Sequence, residues 1–166
     1  MSHLTTALRA AMAAALMGSF ACLANGTANA DPTDTLAGAL SKGYNTSNCS
    51  SQTGPSGVLA ILQCGQNSDS TGPVFGKYLL FGNASDLASS FTNSIGSDTL
   101  TNCGDAQSPT VWHQGSSTDS AGQVACGTYQ GQAEVIWTNT AKNVMSLIRA
   151  SNGDTASLYK WWQANG

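Results

Sequence analysis

The chain has 166 residues, of which only 9% are charged, and a formal net charge of −3 at pH 7. That length suits one ordinary domain with a real core. The thin, slightly acidic balance excludes the basic patch that a nucleic-acid backbone requires, so no nucleic-acid partner is expected.

Residues 1–30 read as a secretory signal peptide. His3 and Arg9 give a weakly basic start, an apolar run fills 10–24, and Ala28-Asn29-Ala30 is a small-x-small cleavage site before Asp31-Pro32. The expectation is a secreted, extracellular protein whose single mature domain is 31–166. Lipidation at Cys22 is the alternative, giving an anchored form, although Ser19-Phe20-Ala21 make a poor lipoprotein box before it. Beyond residue 30 the longest apolar run is 58–62, far short of the roughly 20 residues a spanning helix needs, so no membrane span is expected. Residues 31–166 carry five cationic side chains against nine acidic ones, a net of −4. Solubility therefore rests on Ser, Thr, Asn, Gln and Gly.

Asp34 is placed to cap a first helix, with Leu36, Ala39 and Leu40 on one face and Gly43 beyond its end. A polar loop, 45–57, carries Cys49. Strands are expected at 58–63 and 74–81, rich in branched and aromatic residues. A second helix is expected over 83–95, where Leu87, Phe91 and Ile95 recur every four residues. Further strands are expected at 111–113, 122–129, 133–138 and 144–150, with Gln130-Gly131 as a tight turn. Asp154 caps a last helix bearing Leu158, Trp161 and Trp162. The order α-β-β-α-β-β-β-β-α predicts an α+β fold: an antiparallel sheet with helices on one face.

Four cysteines lie beyond the signal: Cys49, Cys64, Cys103 and Cys126. An even set in an oxidising compartment predicts two disulfides. Of three possible pairings, Cys49–Cys64 and Cys103–Cys126 are favoured, because each clips neighbouring elements. Zinc binding competes for these residues, but their wide spacings do not match a tetrahedral cage. No metal or cofactor is implied.

His113 is the only histidine beyond the signal. As a general base it would need a carboxylate such as Asp105 or Asp119, and the plainer expectation is an exposed or core-edge ring beside Trp112. No Gly-x-Ser-x-Gly elbow occurs, and Ser117 sits in a low-complexity loop. Glu134 is the only glutamate. Strand alternation sets Val135 and Trp137 on one face and points Glu134 to solvent with Ile136. A carboxylate pair for glycoside cleavage would need one of eight aspartates as its partner, and the sequence leaves the choice open. Trp161 and Trp162 point about 100° apart on a helix. Both rings are expected to cover the sheet with Leu158. The other reading leaves one outward, where with Tyr159, Trp112 and His113 it contacts a sugar or peptide. The glycines after Cys64, Cys103 and Cys126 read as architectural.

Gly43-Tyr44…Cys49, Cys64-Gly65-x-Asn67, Gly72-Pro73, Tyr78-x-Leu80-Phe81, Leu87…Phe91, Cys103, Trp112, Cys126-Gly127, Trp137-Thr138 and Leu158…Trp161-Trp162 form one pattern. It resembles a cysteine-containing extracellular domain of mycobacteria and other actinobacteria. That domain occurs as a free secreted protein and as the outer segment of receptor-type serine/threonine kinases. The match spans nearly all of 31–166, and its motifs are structural. The resemblance implies a sensor-like module whose partner is an unknown extracellular protein or cell-envelope ligand. The kinase motifs themselves are missing: no Gly-rich loop, strand lysine, His-Arg-Asp or Asp-Phe-Gly occurs. The expectation is a non-catalytic binding module. The alternative is a small secreted hydrolase using His113 with an aspartate.

Overall fold

Asp31 opens the first helix, α1 (Pro32–Ala37), by accepting a hydrogen bond from the Thr33 N–H. A computed structural model describes residues 30–166. Residues 1–29, which hold most of the expected signal peptide and Cys22, lie outside the described residues. The cap falls three residues before the expected Asp34, because Pro32 is pre-set for the first helical position and lacks the N–H that would go unpaired there. Asp34 instead lies in the first turn, and Gly38 ends the helix well before Gly43.

The strands are β1 (Cys49–Gln52), β2 (Val58–Cys64), β3 (Phe75–Phe81), β4 (Thr99–Thr101), β5 (Thr110–His113), β6 (Ser120–Tyr129), β7 (Gln132–Asn139) and β8 (Val144–Arg149). Between β3 and β4 lies α2 (Ala84–Ile95), whose Asn83 cap accepts from the Asp86 N–H. After β8 comes α3 (Thr155–Asn165), capped by Asp154 through the Ser157 N–H. All pairings are antiparallel. The sheet runs β1-β2-β3-β8-β7-β6-β4, and β5 shares the outer side of β6 with β4. The α+β class and antiparallel sheet match expectation.

The element order does not. Two strands, β1 and β4, were not expected, because Cys-Ser-Ser-Gln and Thr-Leu-Thr carry no apolar alternation. They form by pairing: β1 opposes Cys49 to Cys64, and β4 lays Thr99–Thr101 on Thr128–Cys126. Gly127 allows the second contact, since a Cβ there would lie 2.7 Å from the Thr99 carbonyl oxygen.

The helices also cover both faces rather than one. On one face, Leu36 of α1 and Leu158 and Trp162 of α3 pack with Ala133, Val135 and Trp137. On the other, Leu87 and Phe91 of α2 pack with Ala125, Ile136 and Met145. The physical sign is β7 itself, buried from Ala133 to Thr138 without alternation, as a strand with two covered faces must be.

Both expected disulfides are present, Cys49–Cys64 and Cys103–Cys126. They close loops of 15 and 23 residues. Reduction should cost on the order of 3 kcal/mol per bridge by the chain-entropy argument. Urea titration with and without reductant measures it, and an unchanged midpoint would show that the bridges restrain nothing.

Candidate functional site

Strand β5 and the end of α3 meet on the α1/α3 face, near one edge of the sheet. Trp112 is fixed by an Nε1–H bond to the Thr138 carbonyl, 2.8 Å, and meets Trp162 edge-on at 5.6 Å. Tyr159, three residues before Trp162 on α3, stacks against it at 5.5 Å and 20°. Behind Trp162 the aromatic contacts continue inward through Trp137, Tyr78 and Tyr44. The wall is thus rigid, backed by ring-to-ring packing rather than by loop.

Val111, Trp112, His113, Gln114, Gly115, Tyr159, Trp162, Gln163 and Gly166 line a half-open groove of about 420 Å³. None of these is Asp, Glu, Lys or Arg. Trp162 is 6% exposed, and its Nε1 is buried with no hydrogen-bond partner among the described residues. That edge of the indole lies against Gly166, which also lines the groove.

Four of the five candidate contact residues therefore gather: Trp112, His113, Tyr159 and Trp162. Trp161 does not. Its Nε1–H donates to Asp69 Oδ2 at 2.9 Å, and the ring is half-buried against the same core. Asp69 is held below the usual carboxylate range, first by the Thr71 hydroxyl and N–H and then by this indole. The two adjacent rings diverge as helical spacing requires, and both pack inward.

His113 is exposed, as expected, and its Nδ1 lies 3.0 Å from the backbone carbonyl of Asp119. Neither Asp119 nor Asp105 brings a carboxylate into hydrogen bonding with it.

Glu134 corrects its expectation. It shares a face with Ile136, but that face is covered by α2, and Glu134 is only 2% exposed. Arg149, directly opposite on β8, donates from Nε to Glu134 Oε2 at 2.6 Å and makes a second contact through Nη2. The guanidinium lies between Phe75 and Tyr129, 5.3 and 4.7 Å from their ring centroids. Asp98, just beyond α2, lies close enough for its charge to act on Glu134. The hairpin register predicts the Glu134–Arg149 pairing, but no local signal points to Asp98. Of the three, Glu134 is closed off, while Asp98 and Arg149 are half-buried.

Burial pushes the Glu134 carboxyl up to about 7, the Arg149 bond opposing and the Asp98 charge reinforcing it. Asp98 is also raised, chiefly by burial. From an unfolded value of 4.5 to a folded value near 7, the folded chain holds a proton that the unfolded chain has lost. The stability this confers is complete below the lower value and disappears as pH rises through the upper one. Melting curves should therefore show the domain more stable at about pH 5 than at about pH 8, by on the order of 1–3 kcal/mol. Glu134→Gln should flatten that slope; a slope unchanged by it would assign the effect elsewhere.

No family model, curated protein or solved structure matches this chain. No helix among the described residues is long and apolar enough to cross a membrane.

Proposed function

We propose that this chain is a secreted, non-catalytic binding module of the sensor-like kind implied by its resemblance to kinase outer segments. Its contact surface is the groove between β5 and α3, and its ligand is an extracellular protein or a cell-envelope component. One observation carries the reading: the groove brings Trp112, His113, Tyr159 and Trp162 together on one concave surface. Concave surfaces lined by aromatic carbon with a few polar heads are the usual form of a binding site. The absence of a carboxylate on His113 favours binding over hydrolysis, which would need its imidazole oriented by one. The two disulfides suit an oxidising compartment.

His113 and Gln163 are both exposed, so replacing them with Ala leaves the core intact. The double variant should keep the parental melting temperature and bind a cell-envelope fraction about tenfold more weakly, the loss of one or two modest hydrogen bonds. Undiminished binding would remove the groove as the contact surface.

A further inference from the structure

The two bridges stand in unlike surroundings. Cys103 and Cys126 are both fully buried. Cys49 is only half-buried, and with Cys64 it lines an open groove of about 380 Å³. The other walls of that groove are Ser47, Asn48, Ser50, Gln63, Gly65 and Phe75, none of them charged. A thiolate of any net charge can therefore approach without meeting a like charge on the wall.

What the open bridge holds in place is a single strand. Cys49 and Cys64 face each other directly in the register of β1 on β2. β1 ends the sheet and pairs only with β2. Its start is anchored by Asn48, which donates from Nδ2 to the Gly43 carbonyl at 2.9 Å. From Ser50 to Gly57 every residue is exposed, so no buried side chain ties this stretch to the core. Backbone pairing and the sulfur bridge are what keep β1 on the sheet, and a backbone hydrogen bond open to water contributes only modestly.

We propose that Cys49–Cys64 is a thiol-exchange site: a low-molecular-weight thiol or dithiol opens it while Cys103–Cys126 stays closed, and the opening frees β1. The attacking thiolate bonds to the sulfur of Cys49, the more accessible residue of the pair. The S–S bond breaks, and its electron pair goes to the Cys64 sulfur, which takes a proton from water. A second thiolate then attacks the mixed disulfide at the reductant's sulfur and releases Cys49 as a thiolate. The bridge gains two electrons, and the reductant is oxidised to its own disulfide. Access governs the rate of such exchange, and exposed bridges are the labile ones. With β1 released, β2 becomes the edge of the sheet and presents unpaired backbone groups to a new partner. None of this depends on the groove between β5 and α3.

The test incubates the purified, oxidised chain with reduced dithiothreitol or glutathione, without denaturant. Thiols are blocked with iodoacetamide at successive times and located by peptide mass spectrometry. Cys49 and Cys64 should be labelled at least about tenfold faster than Cys103 and Cys126, and glutathione should be found first on Cys49. In the half-reduced protein, amide hydrogen exchange over 50–57 should rise about tenfold while β6 and β7 keep their protection. Cys49→Ser with Cys64→Ser should reproduce that exchange pattern without any reductant. Labelling of all four cysteines at one rate, or of Cys103 and Cys126 first, overturns the inference. So does exchange that rises equally in β6 and β7, because the bridge would then open only with the whole domain. Unchanged exchange over 50–57 after Cys49 and Cys64 are labelled would show that the bridge does not hold β1.

Discussion

Replacing Arg149 with Ala should destabilise the domain by about 3–5 kcal/mol, because it leaves the carboxyl of Glu134 buried without its cation. Glu134 has almost no exposure to water, and Arg149 itself keeps only 22% of its side-chain surface exposed. The truncation also removes the guanidinium from between Phe75 and Tyr129. Urea unfolding near pH 8 measures the cost. The same variant should lose less near pH 5, where Glu134 can take up a proton and become neutral. Arg149→Met combined with Glu134→Gln should recover much of the loss, since apolar packing and a neutral amide replace two buried charges. A uniform loss across that pH range would show that packing, not the unpaired charge, sets the penalty.

Trp162→Ala should cost a comparable amount, about 3–5 kcal/mol, as the loss of a large buried ring. The ring touches Trp112, Trp137 and Tyr159, so its removal opens the junction between α3, β5 and β7. Its neighbour should differ. Trp161→Ala removes one hydrogen bond to Asp69 and a partly buried face, a loss of about 1–2 kcal/mol. A short helix with few charges gains most of its stability from docking, so the contrast between the two rings reports how α3 sits. Equal denaturation midpoints for the two variants would mean that the helix does not dock through Trp162.

The elements that were legible in the sequence are those whose signals are local. Asn83, Leu87 and Phe91 mark α2 by a cap and a four-residue repeat. Gln130 and Gly131 mark the β6–β7 turn, and both adopt the positive φ of a two-residue hairpin loop. The disulfide pairing was legible because each bridge joins neighbours along the chain. Strands β1 and β4 were not, because nothing in Cys-Ser-Ser-Gln or Thr-Leu-Thr distinguishes a paired edge from a loop. The second covered face was hidden for a related reason: Ile136 and Glu134 alternate correctly, but alternation does not say whether water or a helix lies opposite. In the groove, residue types pointed to Trp112, His113, Tyr159 and Trp162 separately. Their meeting depends on β5 pairing with β6 and on α3 crossing it, which no local pattern encodes. The buried, unpartnered indole N–H of Trp162 is visible only once the rings have been packed.

The two disulfides lie at opposite margins of the sheet. Cys49–Cys64 joins the outermost strand on one side to its neighbour, and Cys103–Cys126 ties the segment after β4 to β6 on the other. Margins are where a sheet ordinarily frays, one strand lifting away while the centre holds, and amide hydrogens there exchange first. With each margin stitched to the next strand, peeling from the outside is suppressed, and the backbone opens more nearly as one cooperative unit. For a chain exported as proposed, which meets proteases where no chaperone refolds it, resistance to partial opening is a protection that global stability alone does not give.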